Sequence, residues 1–177
     1  LAVRFAAYLS PREADTVERR ILKAAHYLAT QWEFRLVYHA SPFMYGIERT
    51  SMEIETQLEE FIDLAGVQKV SFRQKASGFI DLCGQLRFQQ RWAQTPRMPR
   101  TSVLGHSGFV AILAYFVGLK LGSCPVRRRN NFCVALFHDL PEVFTRDIIS
   151  PIKRSIEGLE AFIEQEDWAG MDRFLHD

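Results

Sequence analysis

Helix-start signals recur along this chain, and the apolar residues behind them follow helical spacing. The first signal, Ser10-Pro11-Arg12-Glu13, combines an N-cap, a first-turn proline and a capping-box acid. The apolar residues that follow it are Val17, Ile21, Leu28, Trp32 and Leu36. No stretch alternates apolar and polar residues as a half-buried strand does. The pattern therefore predicts an all-α fold whose first helix is long.

Two further helices are predicted before the first cluster of prolines. The second helix starts at Thr50 and is expected to stop at Gly66. The third runs towards Arg91, and we expect an irregular connection after it because Pro96 and Pro99 do not fit a helix interior.

The remaining helices are predicted from local signals in the same way. One begins near Thr101, and Pro125 opens another that ends near Asp139. Ser150-Pro151 is expected to cap the last helix, which runs to about Glu166.

Composition excludes several classes of protein. With 47% hydrophobic and 12% aromatic residues among 177, the chain is globular and not disordered. We expect no stretch apolar enough to span a membrane, and therefore no membrane partner. The three cysteines, Cys83, Cys124 and Cys133, form no C-x-x-C pair, which argues against a disulfide framework or a thiolate zinc site. They indicate a reducing, cytoplasmic location.

Basic charge is concentrated in the middle of the chain. Between Asp81 and Asp139 there are eight Lys and Arg residues and no Asp or Glu, although the net charge of the chain is only +1. Such a region favours an anionic ligand, and Arg is suited to bidentate phosphate contact. The run at residues 127–129 is interpreted as a solvated surface, since three consecutive helical residues cannot share one face. The acidic flanks argue against general nucleic-acid binding.

Three residues are candidates for a metal site. His138-Asp139 follows an apolar helix, where the Asp costs ~0.3–1 kcal/mol against the helix dipole unless a cation compensates. His106 lies on an apolar helix face, and a lone histidine of this kind is more often a core residue bonded to backbone. Gly105 and Gly108 are small residues that allow a neighbouring helix to come close. Such an approach is needed if His106 and the His138-Asp139 pair bind the same metal ion.

These residues resemble a known family. His106 followed by His138-Asp139 is similar to the H…HD core of the HD-domain metal-dependent phosphohydrolases, which are all-α. The stretch from His138 to Lys153 resembles the HD-x-x-E-V-x-T-x-D…P-x-K signature of the bacterial 5′-deoxynucleotidase branch. Arg91-Trp92 precedes His106 by fifteen residues, as the Arg-Trp pair of that branch does. The resemblance covers about residues 85–155, and the combined pattern is specific although the HD dipeptide alone is not.

The resemblance implies one divalent metal ion (Mn, Co, Fe, Mg or Zn) bound by His106, His138 and Asp139. The family's fourth ligand, an Asp on a later helix, has no match here. The candidates Asp167, Asp172 and Asp177 lack the surrounding apolar helix of the family. Either that ligand lies outside this sequence, or the site is incomplete and inactive.

The resemblance also implies roles for five further residues. Glu142 orients or deprotonates the attacking water, and Asp147 contacts the sugar or protonates the leaving oxygen. Arg91 and Lys153 hold phosphate, and Trp92 contacts the sugar. Each has an ordinary alternative. Glu142 and Asp147 are then helix-start acids, Lys153 is a surface charge, and Trp92 is a core aromatic residue.

We therefore expect an HD-type helical core at residues 76–177, preceded by a helical extension at residues 1–75 that packs on it. The expected activity is release of phosphate from nucleotides such as (deoxy)nucleoside monophosphates. The alternatives are hydrolysis of nucleoside triphosphates or cyclic dinucleotides, or a non-catalytic nucleotide-binding or scaffold protein. The amphipathic N-terminal helices bury their apolar faces either on the core or on a second subunit of a homodimer.

Overall fold

The computed structural model describes residues 16–72, 75–93, 96, 98–146 and 154–176, and helices dominate these ranges. Within them the only extended pairing is an isolated antiparallel bridge between Gln90 and Ser102. The predicted all-α class and the N-terminal helices are therefore confirmed. The chain divides into two compact units, Leu1–Ser77 and Gly78–Asp177, which are described separately. The packing of the extension on the core stays a prediction.

The helices are, in chain order, α1 (Val17–Ala40), α2 (Ile47–Glu59), α3 (Ala65–Ser71), α4 (Lys75–Gln85), α5 (Val103–Lys120), α6 (Pro125–Phe137), α7 (Glu142–Thr145) and α8 (Leu159–His176).

The second helix starts three residues before the predicted Thr50, and the first described helix starts at Val17. Helix α1 begins at Val17 because Thr16 caps it, accepting a hydrogen bond from the Arg19 backbone N–H at 3.3 Å. The predicted start at residues 10–13 lies outside the described residues. Helix α2 begins at Ile47 behind Gly46, whose φ of 80° only glycine adopts readily.

The predicted stop at Gly66 is wrong. Helix α2 already ends at Glu59, and Gly66 lies within the short helix α3. A turn at residues 60–63 separates the two helices, because Phe61 and Val67 both turn inward to a small core around Ala24 of α1. Tertiary burial therefore decides the break, not the glycine.

The second unit has its core where α4, α5 and the residues after α6 meet. The buried members of this core are Leu82, Leu86, Val103 and Leu140. Val143 of α7 and Met171 of α8 pack against the same cluster. The core thus fixes the start of α5 and the end of α6 relative to each other.

The predicted irregular connection between α4 and α5 is confirmed. It folds back on itself through two backbone hydrogen bonds, Arg91 N–H to Thr101 O and Val103 N–H to Gln89 O, both at 2.9 Å. Ser102 then caps α5 by accepting from the Gly105 N–H at 3.1 Å. Arg91 is therefore held beside the first turn of α5.

The last helix differs from the prediction at its C-terminal end, and a turn at residues 156–158 interrupts the single helix that the pattern predicts. Ser150-Pro151 lies outside the described residues, and α8 begins at Leu159 behind Gly158, which has a φ of 80°. The helix does not end near Glu166 but continues to His176. Met171, which lies in the extra turns, packs on the core. No local sequence signal near Glu166 indicates this packing.

The predicted close helix approach at Gly105 and Gly108 is also wrong. Among the described residues, a Cβ at Gly108 would have no heavy atom within 4 Å, and one at Gly105 would meet the Ser102 Oγ alone, at 3.2 Å. The glycine that does lie at a close contact is Gly170 of α8, where a Cβ would stand 2.8 Å from the Phe144 ring.

This contrast gives a prediction for stability. Gly170→Ala should lower the free energy of unfolding by about 1–3 kcal/mol, because the methyl group displaces Phe144 and separates α7 from α8. Gly108→Ala, in open space on α5, should be neutral or raise it by up to about 1 kcal/mol through helix propensity. Chemical denaturation of both variants measures this, and equal effects would contradict the packing.

The cysteines give a second prediction. Burial raises the pKa of the Cys83 thiol, whereas Cys124 and Cys133 are exposed. Cys83 should therefore react with a maleimide several-fold more slowly than the other two. Peptide mapping after timed labelling checks this, and preferential labelling of Cys83 would contradict the described core.

Helix α5 corrects the expectation about apolar stretches. Over its 18 residues, Val103–Lys120, it is long and apolar enough to cross a membrane by length and composition alone. Core helices of soluble proteins meet the same criterion, so one such helix indicates little. The absence of a membrane partner stays a prediction.

Candidate metal centre

Helices α5 and α6 form an antiparallel hairpin joined by residues 121–124. His106 lies fourteen residues before the end of α5, and His138 thirteen residues after the start of α6. Because both helices rise by the same distance per residue, the two histidines are level with each other across the hairpin. Their ring centroids are 5.6 Å apart.

Asp139 completes a cluster with the two histidines. Its Oδ1 lies 3.1 Å from Nε2 of His138, and its Oδ2 lies 3.8 Å from Nε2 of His106. One ligand atom from each of the three side chains lies within 4.8 Å of the others. Two imidazole nitrogens and a carboxylate oxygen are a donor set that divalent transition metals accept. The three residues therefore fit the ion that the sequence predicts.

Burial of the neighbouring residue explains the position of Asp139. Leu140 is only 4% exposed and belongs to the core of this unit, so the turn after α6 is pinned against α4 and α5. Asp139 is consequently 8% exposed, although it is charged. A buried carboxylate of this kind needs compensating charge or hydrogen bonds.

His138 is oriented by a backbone contact. Its Nδ1 lies 2.7 Å from the carbonyl oxygen of Ala135, one turn earlier in α6. If Nδ1 carries the proton and donates to this carbonyl, Nε2 keeps a lone pair that faces the cluster. Metal-binding histidines commonly use their second nitrogen in this way.

Arg91 provides the compensating charge for Asp139. Its Nη1 donates to Oδ2 of Asp139 at 3.0 Å, and the arginine side chain is 22% exposed. Breaking such a pair leaves a buried charge and is costly. The guanidinium has further N–H donors, which a phosphate oxygen beside the cluster can accept. Arg91 thus lies beside the cluster, and its contact with phosphate stays a prediction.

Trp92 follows Arg91 directly and is 43% exposed. The alternative in which it is a core aromatic residue is therefore wrong. Its backbone has a φ of 54°, which is unusual for a bulky residue and turns the chain away after Arg91.

Glu142 starts helix α7, three residues after Asp139. Its backbone N–H donates to the carbonyl oxygen of Asp139 at 3.1 Å, and Oε2 of its side chain is buried. The three-residue cluster does not include its carboxylate. Asp147 and Lys153 lie outside the described residues.

Asp167 occupies a different environment from the one the sequence indicates. It is 9% exposed on α8 and accepts a hydrogen bond of 2.6 Å from Thr145 at the end of α7. Ile163 is buried on the same helix, and Met171 packs on the core, so α8 has an apolar face around Asp167. The spacing of these three residues, four apart, is the signal that predicts this face. Asp167 is not a member of the three-residue cluster.

Comparisons with known proteins agree with this geometry. A family model described as HD domain matches residues 83–174, which is more than half of the chain. A dATP triphosphohydrolase of Salmonella phage PMBT28 is 34% identical over 91 residues, covering 48% of this chain and 47% of the relative. The chain therefore spans about half the length of the curated relative it matches. No solved structure matches it. Neither finding singles out the 5′-deoxynucleotidase branch.

The matched range contains the His106–His138–Asp139 cluster, the Arg91 that pairs with Asp139, and the helices that pack around them. On this match, the chain belongs to the HD domain family.

Proposed function

We propose that the chain is a divalent-metal-dependent phosphohydrolase acting on nucleotides. The observation that carries the proposal is the convergence of His106, His138 and Asp139, with ligand atoms within 4.8 Å of one another. Membership of the HD domain family and the name of the phage relative support it.

The two imidazole Nε2 atoms and the Asp139 carboxylate would hold the ion, leaving positions open for water and a phosphate oxygen. A divalent ion supplies Lewis-acid chemistry, lowering the pKa of a water and neutralising charge on the phosphate. Arg91 would bind a phosphate oxygen through the N–H groups that it does not use on Asp139.

Glu142 is proposed to orient the attacking water or to accept its proton. Its place at the start of α7 is fixed by the backbone hydrogen bond to Asp139, so the two residues move together. Asp147 is proposed to contact the sugar or to protonate the leaving oxygen. Lys153 would hold phosphate, and the exposed Trp92 would contact the sugar.

Two substrate classes have specific support. The phage relative, named as a dATP triphosphohydrolase, favours deoxynucleoside triphosphates. The Arg91-Trp92 pair and the motif from His138 onward favour deoxynucleoside monophosphates. We place triphosphates first because a whole aligned region, rather than a short motif, supports them.

The test is product analysis with the full chain. We expect the protein to hydrolyse a deoxynucleotide with Mn, Co or Mg, and to stop when a chelator is added. Release of triphosphate, pyrophosphate or free phosphate identifies the bond that is cleaved. The control is His138→Ala, which removes one ligand atom of the cluster.

Equal product release by the protein and by His138→Ala would contradict the proposal. Stoichiometric nucleotide binding by a protein that takes up no metal ion and hydrolyses nothing when Mn, Co or Mg is added would instead support the non-catalytic alternative.

A further inference from the structure

The outer side of helix α5 is both apolar and exposed. The buried residues of this helix recur along one side of it, and they are Val103, Ser107, Ala111 and Gly118. The opposite side carries five large apolar residues that are 44–63% exposed, Phe109, Ile112, Leu113, Phe116 and Val117. These five residues are called the α5 patch below. A helix that is apolar on all sides is normally buried on all sides, so the α5 patch indicates a surface that another molecule covers.

The α5 patch contains no charged residue. Residues 101–119 include no Asp, Glu, Lys or Arg, and Lys120 follows at the end of the helix. The cores of interfaces between protein chains are depleted in charged residues and enriched in aromatic ones, as the α5 patch is. A helix that lies on a lipid surface is instead rich in Lys and Arg beside its apolar side. The composition therefore favours a protein partner over a membrane, although α5 alone is apolar enough to cross one.

The size of the α5 patch matches what a pair of copies of this chain requires. At ordinary side-chain areas, the exposed fractions leave roughly 500 Å² of apolar surface on each chain. Single exposed apolar residues are normal on a protein surface, whereas a continuous patch of this size marks an interaction site. Two copies that cover each other's α5 patch bury about 1,000 Å² in total, which is the lower limit for a specific interface. A second copy is therefore sufficient to form a specific, reversible dimer.

The order of residues within the α5 patch suits a two-fold axis. Phe109 lies three residues before Ile112, and Phe116 lies three residues after Leu113, which is the spacing of residues along a helix–helix contact. If two α5 helices pack antiparallel with the axis between Ile112 and Leu113, each Phe109 faces Phe116 of the second copy. In a two-fold interface every such contact occurs twice. Two aromatic pairs, which are favourable contacts, then lie on either side of a central aliphatic contact.

From these observations we propose that two copies of this chain form a dimer through the α5 patch, with their α5 helices antiparallel. Lys120 lies at the edge of this interface, where its long side chain reaches water. The α5 patch belongs to the second unit, Gly78–Asp177, so the dimer does not require the N-terminal helices. The inference goes beyond the proposed function, because its test requires neither metal nor nucleotide.

The test is the molar mass of the full chain in solution, measured by light scattering and by sedimentation equilibrium over a dilution series. We expect twice the 20.5 kDa of a single chain at high concentration, with dissociation on dilution. The double variant Phe109→Lys, Phe116→Lys puts like charges across both aromatic pairs. It should raise the dissociation constant by at least about 100-fold, because like charges that face each other in an interface are strongly unfavourable. The matched control is Phe162→Lys, which changes a phenylalanine of α8 that is 59% exposed and should leave the dimer unchanged.

A second double variant tests the antiparallel arrangement and controls for misfolding. Phe109→Lys, Phe116→Glu replaces the same two side chains, but in an antiparallel pair it puts opposite charges across both contacts. Its dimer should be at least about 10-fold tighter than that of Phe109→Lys, Phe116→Lys, because the facing charges attract. Both positions are exposed within a single chain, so circular dichroism should show the parental helix content in both variants.

Three results would overturn the inference. A parent protein that is monomeric at every concentration has no such dimer, and sedimentation of that monomer with phosphatidylcholine–phosphatidylglycerol vesicles would identify a membrane as the occupant of the α5 patch. A dimer that persists in Phe109→Lys, Phe116→Lys has its interface elsewhere on the chain. Equal dissociation constants for the two double variants would exclude the antiparallel arrangement.

Discussion

Replacing Asp139 by Asn is expected to lower the rate of nucleotide hydrolysis by at least about 100-fold. Mutation of a residue that merely hydrogen-bonds to a metal ligand already lowers metal affinity or activity by about 10–100-fold. Asp139 is predicted to be the anionic ligand itself, so its replacement should cost more. Its Oδ1 faces His138, and its Oδ2 faces His106 and Arg91. In the cluster found among the described residues, Asp139 supplies the one carboxylate. Product release and metal content of the purified variant measure the effect.

The amide in Asp139→Asn has the shape of the carboxylate and still accepts from Arg91, which keeps the fold disturbance small. The control is Glu157→Gln, which removes an exposed carboxylate from the same unit and should retain full activity. An Asp139→Asn protein with parental activity and one metal ion per chain would contradict the assignment of this residue.

Leu86→Ala is expected to have the largest effect on stability, about 2–5 kcal/mol. Leu86 is 2% exposed, belongs to the core beneath α5, and its carbonyl oxygen accepts from the Leu104 N–H at 3.3 Å. The truncation leaves a cavity between α4 and α5 at the point where the connection carrying Arg91 begins. Chemical denaturation followed by circular dichroism gives the change in the free energy of unfolding.

The control for Leu86→Ala is Met98→Ala, which truncates a side chain that is 98% exposed and should change stability by less than about 0.5 kcal/mol. If Leu86→Ala unfolds no more easily than Met98→Ala, the described core of the second unit is wrong.

Local signals predict the fold class and several helix starts. Pro125 opens α6 as expected, and α5 begins two residues after Thr101, because proline and N-cap preferences act within one turn. Helix ends are less predictable. Helix α2 stops before Gly66, and α8 continues beyond Glu166, since burial of Phe61 and Met171 decides them.

In the candidate site, too, some features follow from sequence signals and others depend on tertiary packing. The motif spacing predicts that His106, His138 and Asp139 lie together, and the hairpin of α5 and α6 explains why. The ion pair between Arg91 and Asp139 joins residues 48 positions apart and depends on backbone pairing that no periodicity encodes. The buried position of Asp167 depends likewise on packing of α8 against α7.

The most direct test of the metal centre is an anomalous-scattering map from crystals of the full chain grown with Mn. The structure predicts one peak within bonding distance of Nε2 of His106, Nε2 of His138 and one oxygen of Asp139. A map from crystals grown with Mn that shows no peak between His106, His138 and Asp139 would contradict the assignment of these residues as a metal centre.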